Sequence, residues 1–247
     1  MISLPKSRLD SGVSASRISC SNRKSLLNKF TKQGDVNITL GKYDAVINEY
    51  LPIVNELDKR GVQQLIFALE GMDRSEEALD ILKTNPLLLE DAQTHGLLGG
   101  RFKRKYLLSS VKKFGEESIK YYKMAYEHSI EIKNKKEIYF NAINLAFLSL
   151  MVHGSDEEMT KYATVAIENA KKDAFDNLWK LATLGEANLY LGNLKKSKKF
   201  YAKASKMAGI REKLSIHSNA SLAYLEMSRT ENPEDDYVVF LKDHFLL

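Results

Sequence analysis

Past the first two dozen residues, apolar side chains recur at intervals of three and four, the spacing of helices buried along one face. Leu98, Phe102 and Tyr106, for example, stand at i, i+4 and i+8. No stretch alternates convincingly with period two, so no strands are predicted. Start and stop signals cut the pattern into helices of one to two dozen residues. Asp73 with Glu76, and Ser155 with Glu158, have capping-box spacing ahead of apolar runs. Asn232, Pro233 and the acids Glu234, Asp235 and Asp236 predict another helix start. Gly71, Gly154, Gly192 and Gly209 each fall just past a helical run, where a left-handed C-cap is wanted. The chain therefore reads as all-α, built of helix pairs.

The pairs repeat. Ser197, Tyr201 and Ala204 form a small–large–small trio at i, i+4, i+7, and Ala163, Ile167 and Ala170 form another 34 residues earlier. The trio recurs at Ser118, Tyr122 and Ala125, and more loosely at Ala78, Leu82 and Asn85. Small residues let neighbouring helices approach and the large one fills the gap between them. A period in the thirties with two helices per unit predicts a solenoid, each pair burying its face against its neighbours.

The segment "LATLGEANLYLGNLKKSKKFYAKA" (181–204) resembles the tetratricopeptide repeat through Leu181, Leu184, Gly185, Gly192, Ser197, Tyr201 and Ala204. Asn188 stands where that pattern has an aromatic. The resemblance implies a tetratricopeptide-like α-solenoid of antiparallel helix pairs forming a right-handed superhelix. A narrower resemblance covers roughly residues 90–208. There "HGLLGGRFKRKY", "YYKMAYE", "YFNAINLAFLSL" and "DNLWKLATLGEANLYLG", in that order, look like the repeat region of bacterial regulatory proteins and of apoptosis signal-regulating kinases. In those kinases this TRAF-binding, or central regulatory, domain controls a neighbouring effector. No kinase sequence accompanies it here, so the resemblance carries over only a regulatory module.

Charge is unevenly placed. The net charge is +5 over 247 residues, yet Lys6, Arg8, Arg17, Arg23 and Lys24 oppose Asp10 alone. Four of the five net charges thus sit in the first 24 residues and the body is nearly neutral, without the footprint of a duplex-binding domain. Residues 1–23 are read as a flexible, basic, Ser-rich tail without a secretory h-region. Residues 24–247 are read as the repeat domain, with the best units within 90–208 and capping helices over 211–247. Cys20 is the single cysteine, which excludes an intramolecular disulfide or cysteine-built zinc site and agrees with a cytoplasmic setting. The longest apolar stretch, 138–152, is too short to span a bilayer and contains Asn141 and Asn144, so no membrane association is expected.

The glycine-rich "THGLLGGRFKRKY" (94–106) fails as a phosphate loop, because Arg101 and Phe102 stand where a Walker motif starting at Gly96 needs Gly and Lys. It reads instead as a helix, with Gly99 at the small packing position. Gly96 and Gly100 are then more than the repeat requires, each costing about 1 kcal/mol relative to alanine. The repeat alignment puts these two on the concave side with Lys103 and Arg104, then Asn141 and Asn144, then Trp179, Glu186 and Tyr190 in the following units. Glycines leave room, cations give charge, amides give hydrogen bonds and an indole gives a stacking plane: the ingredients of a binding groove. Against this stands the plainer account that the amides satisfy helix contacts and Arg101–Lys105 is a solvated face.

The five histidines are scattered, and no HExxH or GxSxG motif is present. Acid groups such as Asp156–Glu158 and Glu116–Glu117 are assigned to helix starts. The expectation is a non-enzymatic protein with no cofactor. The lysines of 193–206 are read as the exposed side of an outer helix, which with the absence of stacking aromatics disfavours nucleic acid. The C-terminal "DYVVFLKDHFLL" is unusually apolar, and Val239, Phe240, Leu246 and Leu247 are candidates for contact with a partner or a second copy of the chain. Two functions remain: a regulatory scaffold that binds a protein segment in its concave groove, and a sensor of a small anionic ligand held by Lys103, Arg104, Asn141 and Asn144 with Trp179 stacking.

Overall fold

The computed structural model describes residues 31–89 and 92–247; the basic tail, Cys20 and the first residues of the repeat domain lie outside the described residues. All regular structure among the described residues is helical. The chain divides into two compact units, Met1–Ile81 and Leu82–Leu247.

In the first unit, residues 31–39 form a helix, α1. It is followed by α2 (Tyr43–Tyr50), a 3-10 turn (Leu51–Ile53) and α3 (Lys59–Gly71). Val46, Ile47, Tyr50, Val62, Leu65, Ile66 and Leu69 form its core. Gln64, buried among them, donates to the Thr31 carbonyl at 2.9 Å and to Asp35 at 2.6 Å, and accepts from the Tyr50 hydroxyl at 3.3 Å. A buried amide so satisfied fixes how the helices meet. Helix α4 (Ser75–Thr84) spans the boundary between the units.

The second unit holds α5 (Pro86–Leu89) and four pairs: α6 (Ala92–Ser109) with α7 (Lys112–Glu131), α8 (Lys135–His153) with α9 (Asp156–Lys171), α10 (Leu178–Tyr190) with α11 (Leu194–Ser205), and α12 (Ile210–Ser228) with α13 (Asp236–Phe245). Within each pair the helices pack on one another. The first helices of the last three pairs also meet, α8 on α10, α10 on α12 and α12 on α8. Those contacts, together with α7 and α9 against α8 and with α9 and α11 against α10, bury all of residues 141–150 and 181–190, which is why the central helices carry apolar residues on every side. The solenoid of tetratricopeptide type expected from the sequence is present.

The same packing device appears in two pairs. The Ser118 hydroxyl donates to the Gly99 carbonyl at 2.7 Å, and the Ser197 hydroxyl donates to that of Gly185 at 2.6 Å. A Cβ on Gly99 would come within 2.8 Å of the Tyr122 ring, and one on Gly185 within 2.5 Å of the Tyr201 ring. The small–large pattern in the sequence thus reports a tyrosine lying against bare backbone.

Several helix ends differ from expectation. Ser155 caps α9 as predicted, accepting from the Glu158 amide at 3.2 Å. Asp73 does not cap α4: it takes a left-handed φ of 59° in the turn before a helix that begins at Ser75. Asn232 does not start α13 either. It forms an Asx turn to the Glu234 amide, and Asp235 is the cap, accepting from Tyr237 and Val238. Gly154 and Gly192 have the expected positive φ, 62° and 72°. Gly71 ends α3 beneath the Tyr43 ring, and Gly209 is the N-cap of α12 with φ −75°. Glu116 lies in the second turn of α7, not at its start, with its carboxylate 3.2 Å from His153 Nε2.

Candidate functional site

Helix α6 turns three kinds of face to its neighbours. Leu98 and Phe102 are buried on the apolar face. Gly99 lies under Tyr122, as described. Gly96 and Gly100, one turn apart, are half-buried on a third face. Neither is needed for packing: a Cβ on Gly96 would meet only Asn141 Oδ1, at 3.5 Å, and one on Gly100 only the Tyr122 hydroxyl, at 3.4 Å. Both are ordinary van der Waals distances, so alanine would fit where glycine stands.

Beneath these glycines lies a cluster of polar groups in low dielectric. Lys103, 6% exposed, donates to Asn144 Oδ1 at 3.0 Å and places its ammonium 4.0 Å from the centre of the Phe147 ring. Asn144 Nδ2 in turn donates to the Phe140 carbonyl at 2.9 Å. On α10, Glu186 accepts from the Tyr190 hydroxyl at 2.5 Å, and both side chains are buried. Lys103 and Glu186 do not touch, yet each feels the other. Burial pushes the Lys103 ammonium down to about 8, with the Glu186 carboxylate pulling it back up. Burial likewise raises the Glu186 carboxyl, opposed by Lys103 and the Tyr190 hydrogen bond. The Tyr122 phenol is raised by burial, with Arg104 and Arg101 acting in the opposite sense.

Asn141 stands apart. It is 1% exposed, and neither its Nδ2 nor its Oδ1 has a hydrogen-bond partner. A buried amide left so costs about 1–3 kcal/mol, and native proteins rarely keep one without use for it. The Tyr122 hydroxyl, against Gly100, makes no hydrogen bond either. Two unused polar groups therefore face the two glycines that packing does not require.

The structure thus brings together Gly96, Gly100, Lys103, Asn141, Asn144, Glu186 and Tyr190 of the expected groove, but as a closed cluster rather than an open trough. Arg104 is exposed at its edge. Trp179, 45% exposed, lies in the first turn of α10. It is seven residues, or about 10 Å of helix, from Glu186, and no contact joins it to the Lys103 cluster. Tyr122 and Phe147 were not foreseen as part of this cluster. Tyr122 was legible only as a packing residue, and Phe147 only as one position in an apolar run.

At the C-terminus, Phe240 is not an open contact. Its ring packs 6.0 Å from that of Tyr237 and 4.1 Å from His244. Val239 is half-buried, and Leu246 and Leu247 are exposed, at 47% and 84%. A larger apolar stripe runs along α12, where Ile210, Leu214, Leu222 and Leu225 are all exposed. His217 Nε2 lies 3.3 Å from the Ser221 hydroxyl. No carboxylate orients that imidazole among the described residues, so the pair lacks the third member of a nucleophilic triad. Among the described residues, no three His, Cys, Asp or Glu side chains are grouped to hold a metal, and no helix is long and apolar enough to cross a membrane.

Helix pairs of this kind, locked by serine, glycine and tyrosine, define a helical-repeat protein of tetratricopeptide type. The family described as Tetratricopeptide Repeats-Sensor matches residues 42–149, which takes in α2 to most of α8 and hence Gly96, Gly100, Lys103, Asn141 and Asn144. No curated protein matches the chain.

Proposed function

We propose that this protein is a sensing helical-repeat module. A small anionic ligand enters over Gly96 and Gly100, bonds to Asn141 and Lys103, and alters the packing of α6 on α8 that a coupled effector reads. The observation that carries this reading is the Asn141 amide, buried with both polar atoms idle and facing Gly96, one turn of α8 from the Asn144 that holds Lys103. Arg104 at the edge adds charge of the same sign as Lys103. A peptide laid along an open concave groove is less well supported, since residues 141–150 and 181–190 are buried throughout. The sensor description of the matched family supports the reading, and the coupling to an effector is part of the proposal, motivated by the resemblance of residues 90–208 to kinase-regulatory repeats.

The test is thermal unfolding against a panel of nucleotides and phosphorylated metabolites, since a ligand of the folded state raises Tm saturably. Asn141→Leu is the matched control. It keeps the volume, removes the idle amide and loses the response. Lys103→Glu is unsuitable, because it sets a second carboxylate near buried Glu186. If no compound shifts the wild type, or Asn141→Leu responds as the wild type does, the reading fails. A second reading, capture of a protein segment, is favoured by the α12 stripe. Leu214→Ser with Leu222→Ser would then abolish partner binding and leave Tm responses to small ligands unchanged.

A further inference from the structure

Helix α11 carries an arrangement of charge that works against its own stability. Lys195, Lys196, Lys199, Lys203 and Lys206 are all exposed. None is paired with an acid, and Lys198 alone of the helix's lysines meets one, Asp236. There is no acidic residue anywhere in 194–205, and the first turn holds two lysines where the helix dipole favours acids. Lys195, Lys199 and Lys203 follow one another at i, i+4, i+8, so each neighbouring pair repels by about as much as an opposite pair attracts. Helix α9 shows the contrary choice, with Asp156, Glu157 and Glu158 in its first turn. Nothing in the packing demands the lysines, because Ser197, Tyr201, Ala204 and Ser205 do the burying.

We infer that this single file of cations docks an acidic protein segment. Lys195, Lys199, Lys203 and Lys206 span twelve residues, about 17 Å of helix, a length that four to five residues of extended acidic chain or three turns of an acidic helix match. The shape of the patch selects among anionic partners. It is one helix wide, and α13, which packs on α11, presents Asp236 and exposed Asp243 on that side. A flat anionic bilayer or a broad polyanion meets those carboxylates together with the lysines, whereas a narrow segment meets the lysines alone. The aromatic residues of α11 face inward, Tyr201 at 1% exposure, so no stacking platform for bases accompanies the charge.

The experiment is fluorescence anisotropy of a labelled twelve-residue Glu–Ala helical peptide titrated with the full chain at low salt, beside Lys199→Glu/Lys203→Glu and, as control, Lys161→Glu on α9. The peptide is expected to bind the wild type and the Lys161 variant, to weaken with salt, and to lose about tenfold or more in affinity in the double variant. The double variant is also expected to unfold no lower than the wild type, since it removes like-charge pairs, so loss of binding cannot be ascribed to loss of fold. Equal binding by the double variant overturns the inference. So does absence of peptide binding at low salt, or preferential binding of phosphatidylserine vesicles or a poly-uridine oligonucleotide.

Discussion

The α6–α7 and α10–α11 pairs are built on one device and put to different ends. In both, a serine on the second helix holds a glycine carbonyl of the first, and a tyrosine ring lies on that glycine. Aligning Gly99 with Gly185 sets Gly96 and Gly100 opposite Ala182 and Glu186. On α10 those places are filled: Ala182 is buried, and Glu186 is bonded to Tyr190. On α6 they are left bare, and Gly96 faces an amide that bonds to nothing, whereas the tyrosine hydroxyls, Tyr122 and Tyr201, are without a hydrogen bond in both pairs. What separates the pairs is thus the two bare glycines of α6 and the idle Asn141 amide that Gly96 faces. Stability surrendered in one small place, with packing intact around it, is what a binding site imposes on a fold.

The largest expected effect breaks the electrostatic link between the two pairs. Lys103→Met and Glu186→Gln each remove one of the two charges that attract across the cluster, while each also relieves the burial of its own charge, so the link is read as the coupling energy of a double-mutant cycle, about 2 kcal/mol in chemical denaturation. The link also has a pH signature. The folded state releases the Lys103 proton near 8, whereas an unfolded lysine, with its ordinary value of 10.5, still holds its own. The unfolded chain then binds more protons, so Lys103 makes stability rise with pH between about 8 and 10.5. That contribution should vanish from the stability–pH profile of Lys103→Met.

Next come the glycines that packing requires. Gly185→Ala drives a methyl into the Tyr201 ring and Gly99→Ala into that of Tyr122. Each should lower stability by about 1–2 kcal/mol after the gain in helix propensity. Gly185→Ala should be the worse, its approach being closer. Smaller, and opposite in sign, is Asn141→Leu. Removing a buried amide with no partner should raise stability by about 1 kcal/mol, measured in the same denaturation.

The α6 sequence disclosed much of this contrast. Leu98, Phe102 and Tyr106 marked the buried face, Gly99 the packing position, and the surplus of Gly96 and Gly100 was visible once the motif failed as a phosphate loop. Burial of Lys103 and Glu186 was not visible. It depends on α6 lying against α8 at Asn144 and Phe147, and on α8 and α10 packing on one another, relations between residues scores of positions apart that no local period encodes. The idle state of Asn141 was hidden for a related reason, since an asparagine in an apolar run reads alike whether its amide is bonded or not. Helix starts went astray where acids and turn formers crowd together. At 232–236 both Asn232 and Asp235 suit a cap, and the Asx turn of the first delivers the chain to the second.

The central claim is that Gly96 and Gly100 serve a ligand and not the fold. Its most direct test is the thermal unfolding of Gly96→Ala/Gly100→Ala beside the wild type, first alone and then with the ligand panel. The account predicts a higher Tm without ligand, by about 2–4 °C for each kcal/mol that helix propensity supplies, together with loss of the ligand-induced rise. A lower Tm in the double variant would show that the glycines are packing residues after all, and an undiminished ligand response would show that the ligand binds elsewhere.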